Sequence, residues 1–255
     1  MAAVVLKDHH RSTFMEARLL DSLAQRVWPE AIGGIVLNHS QGGLSAVAVT
    51  TATRLGARVV WMPTVSAAHH QRLVDHPAAH PIMRHARTLP EDGRPITVVG
   101  GRGRLVREAD AVISAVAAAG AVLATGHLSV DESVAVAERG REAGVRVVVA
   151  THPTILGAAV ADLRALADAG ATIEHECSML LPESTLHAFD VDDLLAWIDA
   201  VGVDRTVLGS DLGQMNNPLP AEGLARAWRL LRSQGVAEGV LRSLLIHKPR
   251  EILEL

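Results

Sequence analysis

Histidine and carboxylate side chains follow several apolar segments of this sequence at a constant distance. His127, His152 and Asp211 each lie two residues after the end of such a segment. Neutral imidazole nitrogens and a carboxylate oxygen are ligands that zinc accepts in hydrolytic enzymes, where one position stays open for water. The carboxylate can also orient that water and take its proton. These three residues therefore predict an open mononuclear metal site in which Asp211 has a catalytic role.

A second polar group follows the first apolar segment, at positions 7–10 (Lys-Asp-His-His). We expect His9 or His10 to complete the metal site. We expect Lys7 to stabilise negative charge that develops on a substrate. The structural alternative for this stretch is a loop between a strand and a helix that is exposed to solvent.

His175 is a second candidate for stabilising negative charge on a substrate. It lies between Glu174 and Glu176. Because side chains alternate along a strand, only some of these three residues can face the same way.

A single histidine after a strand is more often a hydrogen-bonded structural residue than a ligand. We therefore give the other histidines solvated or surface positions. They are His39, His69, His70, His76, His80, His85, His187 and His247.

Short apolar segments alternate with helical ones along the chain. The predicted strands are 2–6, 32–37, 57–62, 121–125, 145–150, 171–173 and 206–209. Apolar runs without polar alternation are typical of a parallel sheet covered on both faces. In a parallel barrel, the residues that follow the strands converge at one end. We expect an α/β fold, a (β/α)8 TIM-barrel-like domain over residues 1–255 with seven of the eight strands recognisable.

Helix starts are predicted by two capping boxes, Ser129 with Glu132 and Thr13 with Glu16. The helix that begins near Thr13 should reach residue 27. One side of that helix carries Leu19, Leu20, Leu23 and Val27.

Residues 75–106 interrupt the regular pattern with several prolines and histidines. We interpret this stretch as an irregular insertion at the site end of the barrel, acting as a lid or an oligomer contact. Segment 96–99 and the region near Leu105 should form a small hairpin inside it.

Charge, hydrophobicity and cysteine content argue against a nucleic-acid-binding, membrane-spanning or disulfide-bonded protein. The chain has 255 residues, with 24 Lys and Arg against 28 Asp and Glu, so it carries no basic surface for nucleic acid. No apolar stretch reaches the ~18 residues that a membrane helix needs. The single cysteine, Cys177, excludes an intrachain disulfide and is typical of a reducing compartment. We expect a cytoplasmic protein.

Several segments carry a resemblance to a known superfamily. They are VVLKDHH at 4–10, GGIVLN at 33–38, GARVVWMPT at 56–64, LATGHLS at 123–129, ATHP at 150–153, IEHE at 173–176 and SDLGQ at 210–214. They resemble the amidohydrolase-like metal-dependent hydrolases, and among these an uncharacterised bacterial branch. In that superfamily, metal ligands come from an HxH motif on strand 1, histidines after strands 5 and 6, and an aspartate after strand 8. If the present strands correspond to strands 2 to 8, the resemblance implies these positions for His127, His152 and Asp211.

The chain also departs from the superfamily pattern. It starts directly in a strand, so the HxH strand has no counterpart, and we interpret the sequence as an N-terminally shortened form. No Lys or Glu ends the strand predicted at 57–62, so the resemblance implies one metal rather than a bridged pair.

The expected function is metal-dependent hydrolysis of a small-molecule amide, lactone or ester. The expected metal is zinc, with manganese or iron as alternatives. The alternative function is a catalytically inactive barrel that serves as a binding or assembly protein. In either case, a barrel with seven strands leaves two unpaired edges, so we expect a homo-oligomer or coverage by the insertion.

Overall fold

The computed structural model describes residues 2–23, 29–76 and 93–255. Its strands are β1 Ala3–Val5, β2 Glu30–Ile32, β3 Gly34–Val36, β4 Val59–Trp61, β5 Val122–Ala124, β6 Val148–Ala150, β7 Ala171–Glu176 and β8 Thr206–Gly209. β1 pairs with β2, and β3 to β8 pair in chain order. Every pairing is parallel.

The strand predicted at 32–37 corresponds to β3, and only its first residue, Ile32, belongs to β2, which ends before Gly33. A side chain at Gly33 would lie 2.4 Å from the Cα of Phe14, so the chain can pass there only without one. The seven predicted strands are all present among β1 to β8, and the prediction of a TIM-barrel-like α/β fold is confirmed. Within the described residues, β1 and β8 do not pair with each other.

Helices cover the outside of the sheet. They are α1 Phe14–Leu23, α2 Ala46–Arg54, α3 Ala68–Asp75, α4 Arg107–Ala119, α5 Val130–Ala143, α6 Val160–Asp168, α7 Cys177–Leu180, α8 Val191–Val201, α9 Pro220–Ser233, α10 Glu238–Arg242 and α11 Lys248–Leu253. No helix in the described ranges is both long enough and apolar enough to cross a membrane.

The two predicted capping boxes have different outcomes. Ser129 and Glu132 form theirs, with the serine hydroxyl and the glutamate carboxylate each bonded to the other residue's backbone N–H. The prediction for Thr13 is wrong. Its hydroxyl donates to Leu6 O at 2.6 Å and accepts from Gly34 N at 3.0 Å, so it joins β1 to β3.

The leucine side of α1 faces solvent. Met15, Leu19 and Leu23 are 55%, 58% and 70% exposed, whereas Phe14 and Ala17 are buried. The hydrophobic pattern of this helix therefore marks an exposed apolar stripe rather than its core contact. Val27 and residues 77–92, with His80 and His85, lie outside the described residues.

The two ends of the 75–106 insertion are described. A single antiparallel bridge joins Val99 to Leu105, and Gly100 N donates to Arg104 O at 2.8 Å. The predicted hairpin is therefore confirmed in minimal form.

The inner face of the sheet is apolar along most of its length. Its buried residues are Ile32, Val36, Val59, Trp61, Val122, Ala124, Val149 and Val207, joined by Ile252 from α11. Arg58 and Arg146, which precede β4 and β6, hold this C-terminal segment. Arg146 donates to Glu251 O at 3.0 Å and Ile252 O at 2.7 Å, and Arg58 donates to Leu253 O. The amino ends of the strands are therefore covered, and the polar residues lie at the carboxyl ends.

Gly126 fixes the chain between β5 and His127. Its φ is +61°, and a Cβ there would lie 2.3 Å from Met62 O and 2.7 Å from Pro63 O. We expect Gly126→Ala to lower the free energy of unfolding by about 3 kcal/mol or more, because left-handed backbone strain adds to an overlap with backbone atoms. Urea unfolding measures this loss.

Gly120→Ala is the matched control. Its φ is +64°, but a Cβ there would meet no atom within 4 Å. It should cost about 1 kcal/mol from backbone strain alone. Equal losses in the two variants would contradict the close approach of the β4 and β5 ends.

Candidate active site

Asn38 ties together the carboxyl ends of β1, β3 and β4. Its Nδ2 donates to His9 O at 2.9 Å and to Thr64 Oγ1 at 2.7 Å. Its Oδ1 accepts from Thr64 N at 2.8 Å and from Ser66 N at 3.1 Å. The amide is completely buried, and both its N–H donors and both acceptor positions of its oxygen have hydrogen-bond partners. Three strand ends are thus fixed relative to one another.

The ends of β5 and β6 are tied to the same edge. His127 N donates to Pro63 O at 3.0 Å, which joins the end of β5 to that of β4. Thr151 N donates to Thr125 Oγ1 at 3.2 Å, which joins β6 to β5. The backbone beside His127 and His152 is therefore held by neighbouring strands.

These ties gather a cluster of imidazoles. Ring centres lie 5.6 Å apart for His9 and His127, and 5.1 Å apart for His127 and His152. Two imidazoles bound to one tetrahedral zinc have ring centres about 5 Å apart, given Zn–N bonds of about 2.0–2.1 Å. The spacing of His127 and His152 therefore suits two ligands of one metal.

Two nitrogens of this cluster have no hydrogen-bond partner in the described part of the chain. They are His127 Nε2 and His152 Nδ1, on side chains that are 6% and 5% exposed. His152 Nδ1 lies 3.7 Å from Glu176 Oε1, too far for a hydrogen bond. Because buried polar atoms normally have a partner, these nitrogens are available to a ligand or metal.

Burial keeps the imidazoles neutral. It lowers the pKa of His9 to about 3 and that of His152 to about 4, with the positive charge of Lys7 adding to the effect. The pKa of His127 is lowered well below its usual value, first by burial and then by His70. Neutral imidazole is the form that binds metals.

His152 and Asp211 have unusual backbone conformations. Their φ values are +30° and +41°, in the left-handed region that residues with side chains rarely adopt. Such strain persists only where surrounding structure enforces it, and it is concentrated at functional sites. Both residues follow strands, β6 and β8, at the same edge of the sheet.

His175 does not join the cluster. It packs on the outer side of β7, stacked on Trp197 with ring centres 5.0 Å apart and edge-on to Phe189 at 6.2 Å. Its side chain is 1% exposed, and burial lowers its pKa to about 3. The expectation that His175 stabilises substrate charge is therefore wrong, because alternation along β7 turns it away from the site.

The same alternation turns Glu174 and Glu176 inward. A Cβ at Gly209 would lie 2.5 Å from Glu176 Oε2 and 3.3 Å from Glu174 Oε1, so both carboxylates occupy the space that this glycine leaves. Burial raises the pKa of both well above the usual range. The charge of Glu176 and then that of Asp211 raise the pKa of Glu174 further, and the charge of Asp211 raises that of Glu176. Lys7 opposes this rise in both.

Lys7 lies on the inner face of the sheet, since it continues the inward side of β1 after Val5. Its Nζ is 5.8 Å from the centre of the Trp61 ring. Its positive charge lowers the pKa of His9 and also that of Glu174 and Glu176. The ring of His10 lies 6.5 Å from that of His9, farther from the cluster.

His70 was predicted to be solvated, and that prediction is wrong. It is 3% exposed, and its Nδ1 lies 2.8 Å from His127 Nδ1. His69 also has a protein partner, with Nε2 2.8 Å from Leu156 O. The signal for His70 was its position at the start of α3, the first helix after the carboxyl end of β4 and so at the site edge. The inward glutamates could have been found from strand alternation.

The donor types fit a divalent metal, because His127 and His152 each have a buried imidazole nitrogen without a partner in the described part of the chain. Asp211, which follows β8 at the same edge of the sheet, would add a carboxylate, and its charge opposes the fall in the pKa of His152. In this arrangement, no three His, Cys, Asp or Glu side chains of the described residues converge closely enough to hold an ion. To bind an ion, these side chains would have to take a different arrangement.

The fold resembles that of solved amidohydrolases. The chain is similar to an amidohydrolase from Pseudomonas aeruginosa, with a TM-score of 0.58 and 14% identity over 98% of this chain and 78% of the other. It is similar to an amidohydrolase from Burkholderia multivorans, determined with bound HEPES, with a TM-score of 0.58 and 16% identity over 100% and 84%. The chain is also similar to an organophosphorus hydrolase from Deinococcus radiodurans. The TM-score is 0.52 and the identity is 12%, over 92% of this chain and 74% of the other. The resemblance seen in the sequence is confirmed for the fold.

The chain belongs to the family described as Family of unknown function (DUF6282), whose model matches residues 1–174. That match includes His9, His127 and His152 and ends within β7. A search of the curated proteins finds no match.

The raised pKa of Glu174 predicts that replacing this residue increases the stability of the fold, by an amount that depends on pH. A carboxyl whose pKa is higher in the folded state stabilises the fold fully below its unfolded pKa and loses this contribution as pH rises through the folded pKa. We expect Glu174→Gln to increase the free energy of unfolding at pH 8, with the gain shrinking as pH falls toward 4.5. Urea unfolding of the metal-free protein at several pH values measures it.

Glu138→Gln is the control, since Glu138 lies exposed on α5. This substitution should leave the pH dependence of stability unchanged. If the Glu174→Gln variant were less stable than the native protein at pH 8, the conclusion that the buried Glu174 carboxylate destabilises the fold would be wrong.

Proposed function

We propose that this chain is a metal-dependent hydrolase that acts on a small-molecule amide, lactone or ester. The observation that carries the proposal is that the adjacent rings of His127 and His152 each have a buried nitrogen with no partner among the described residues. They lie at the carboxyl ends of neighbouring strands, where barrel enzymes hold their active sites. The amidohydrolase fold supports the proposal.

The metal ligands would be His127, His152 and Asp211. Two imidazole nitrogens and a carboxylate favour zinc, with manganese or iron as alternatives. When bound, such a metal lowers the pKa of a water ligand toward ~7 and polarises the bond to be hydrolysed.

The protein residues around this position would have separate roles. Asp211 would orient the attacking water and take its proton. Lys7, on the inner face beside Trp61, would attract the oxygen that becomes negative in the transition state.

The alternative function is an inactive barrel that serves as a binding or assembly protein. The observation in its favour is the lack of a converged ion-binding group among the described residues. The histidine spacing and the left-handed backbone at His152 and Asp211 favour the enzyme, because a scaffold has no need for either.

Metal content tests the proposal. Purified protein, reconstituted with zinc, manganese or iron and desalted, should retain about one ion per chain by elemental mass spectrometry. His127→Ala, His152→Ala and Asp211→Ala should each lose it, because each removes one ligand of three.

The control is His187→Ala. His187 is an exposed histidine paired with Asp190 at 3.6 Å, and its removal should leave the metal content unchanged. A native protein that retains no metal after reconstitution would contradict the hydrolase proposal and favour the inactive barrel.

We also propose that the chain is a cytoplasmic homo-oligomer. The exposed apolar stripe of α1 (Met15, Leu19 and Leu23) and the outer edge of β1 support self-association, because both leave groups that a second copy could cover. Analytical ultracentrifugation should give an oligomer for the native protein and a monomer for a Leu19→Lys, Leu23→Lys variant.

Val47→Lys is the matched control for the two lysine substitutions. Val47 is 77% exposed but lies on α2, so this variant should remain oligomeric. A native protein that sediments as a monomer at micromolar concentration would contradict self-association.

A further inference from the structure

His9 and His127 are both held at Nδ1, but by different kinds of partner. His9 Nδ1 lies 2.8 Å from Thr64 Oγ1, whereas His127 Nδ1 lies 2.8 Å from His70 Nδ1. In a neutral imidazole, one nitrogen carries the proton and the other accepts a hydrogen bond. The partner at Nδ1 therefore decides what Nε2 can do.

The orientation of the Asn38 amide is fixed by its surroundings. Its Oδ1 accepts from two backbone N–H groups, those of Thr64 and Ser66. A backbone N–H can only donate, so the opposite atom must be the Nδ2 amino group. That group donates to Thr64 Oγ1 at 2.7 Å.

The Thr64 hydroxyl must then give its own hydrogen to another atom. It already accepts from Asn38, and its side chain is completely buried. Among the described residues, the other atom within hydrogen-bond distance of Oγ1 is His9 Nδ1. A buried hydroxyl without an acceptor is unfavourable, so Thr64 donates to His9.

We propose that His9 is an Nε2–H hydrogen-bond donor of the active site rather than a metal ligand, and that Thr64 and Asn38 are the positioning residues that fix this tautomer. The donors run in one direction, from Asn38 through Thr64 to His9 Nδ1. The remaining proton of the neutral ring is then on Nε2, on the far side from Thr64.

This inference rests on the proposed hydrolase function for its role in the reaction. The His9 ring lies edge-on beside His127, a proposed ligand, with ring centres 5.6 Å apart. An N–H donor at that place suits the carbonyl oxygen of an amide, lactone or ester, which gains negative charge as water attacks. A chain of aligned donors strengthens such a bond.

His127 has the opposite arrangement. Its Nε2 is buried without a partner in the described residues. If its Nδ1 donates to His70 Nδ1, Nε2 carries a lone pair, as a metal ligand requires. The two histidines would therefore differ in role because one contacts a hydroxyl and the other contacts an imidazole.

Metal content separates the two roles. We expect His9→Gln to retain the metal of the reconstituted protein. With p-nitrophenyl acetate as the ester probe, kcat should fall about a hundredfold to a thousandfold, the usual effect of removing one such donor. His127→Gln should lose the metal. Loss of metal in His9→Gln to the same extent would overturn the inference, since it would make His9 a ligand.

The tautomer can be measured directly in the metal-free native protein by ¹⁵N NMR of the histidine rings. His9 should show an unprotonated Nδ1 and a protonated Nε2. Thr64→Ser keeps the hydroxyl and should preserve this pattern, whereas Thr64→Val should abolish it. A protonated Nδ1 on His9 in the native protein would overturn the inference.

The two measurements keep the proposals distinct. A native protein that binds no metal would remove the hydrolase proposal, while the NMR result would still decide the His9 tautomer. If the protein binds metal but His9 carries its proton on Nδ1, the inference about His9 is wrong and the hydrolase proposal stands.

Discussion

One buried amide holds the carboxyl ends of three neighbouring strands in place. The four hydrogen bonds of Asn38 use both of its donors and both acceptor positions of its oxygen. Because an unpaired amide in a buried place costs several kcal/mol, about 2–7 by transfer measurements, none of these ends can shift without a large loss. The positions of His9 and Thr64 depend on this constraint, and Gly126 and His127 extend it to the next strand through Pro63.

Around this fixed edge, the chain keeps features that lower stability. Two glutamates share the space over Gly209, and two residues, His152 and Asp211, have left-handed backbone. Elsewhere the inner face is apolar and its amino-terminal end is covered by α11. The free energy gained by the apolar core therefore offsets the cost of the polar end of the sheet. This distribution is common in proteins whose site must be preorganised.

The sequence predicts most strands and their ends well because they are short apolar runs that stop near a polar residue. The exception is β7, which was predicted to end at residue 173 and continues through its polar residues to Glu176. The sequence predicts less about which way a side chain points. His175 was favoured over its neighbours, although alternation along β7 places Glu174 and Glu176 inward. His70 could not be placed because its contact with His127 spans 57 residues and depends on how α3 packs. The exposed leucines of α1 show the converse, since an apolar helix face need not contact its own core.

The residue types alone also cannot separate a ligand from a hydrogen-bond donor. His9 and His127 are identical side chains at the same edge of the sheet, and both are neutral because they are buried. What differs is the atom at Nδ1: a hydroxyl that already accepts from Asn38 must donate, whereas the imidazole of His70 can accept. The order of donors around Thr64 is therefore part of the chemistry of the site. If both Nδ1 atoms contacted an imidazole, both histidines would be metal ligands and the site would have no N–H donor. If both contacted a donating hydroxyl, both histidines would be donors and the metal would lose His127 as a ligand.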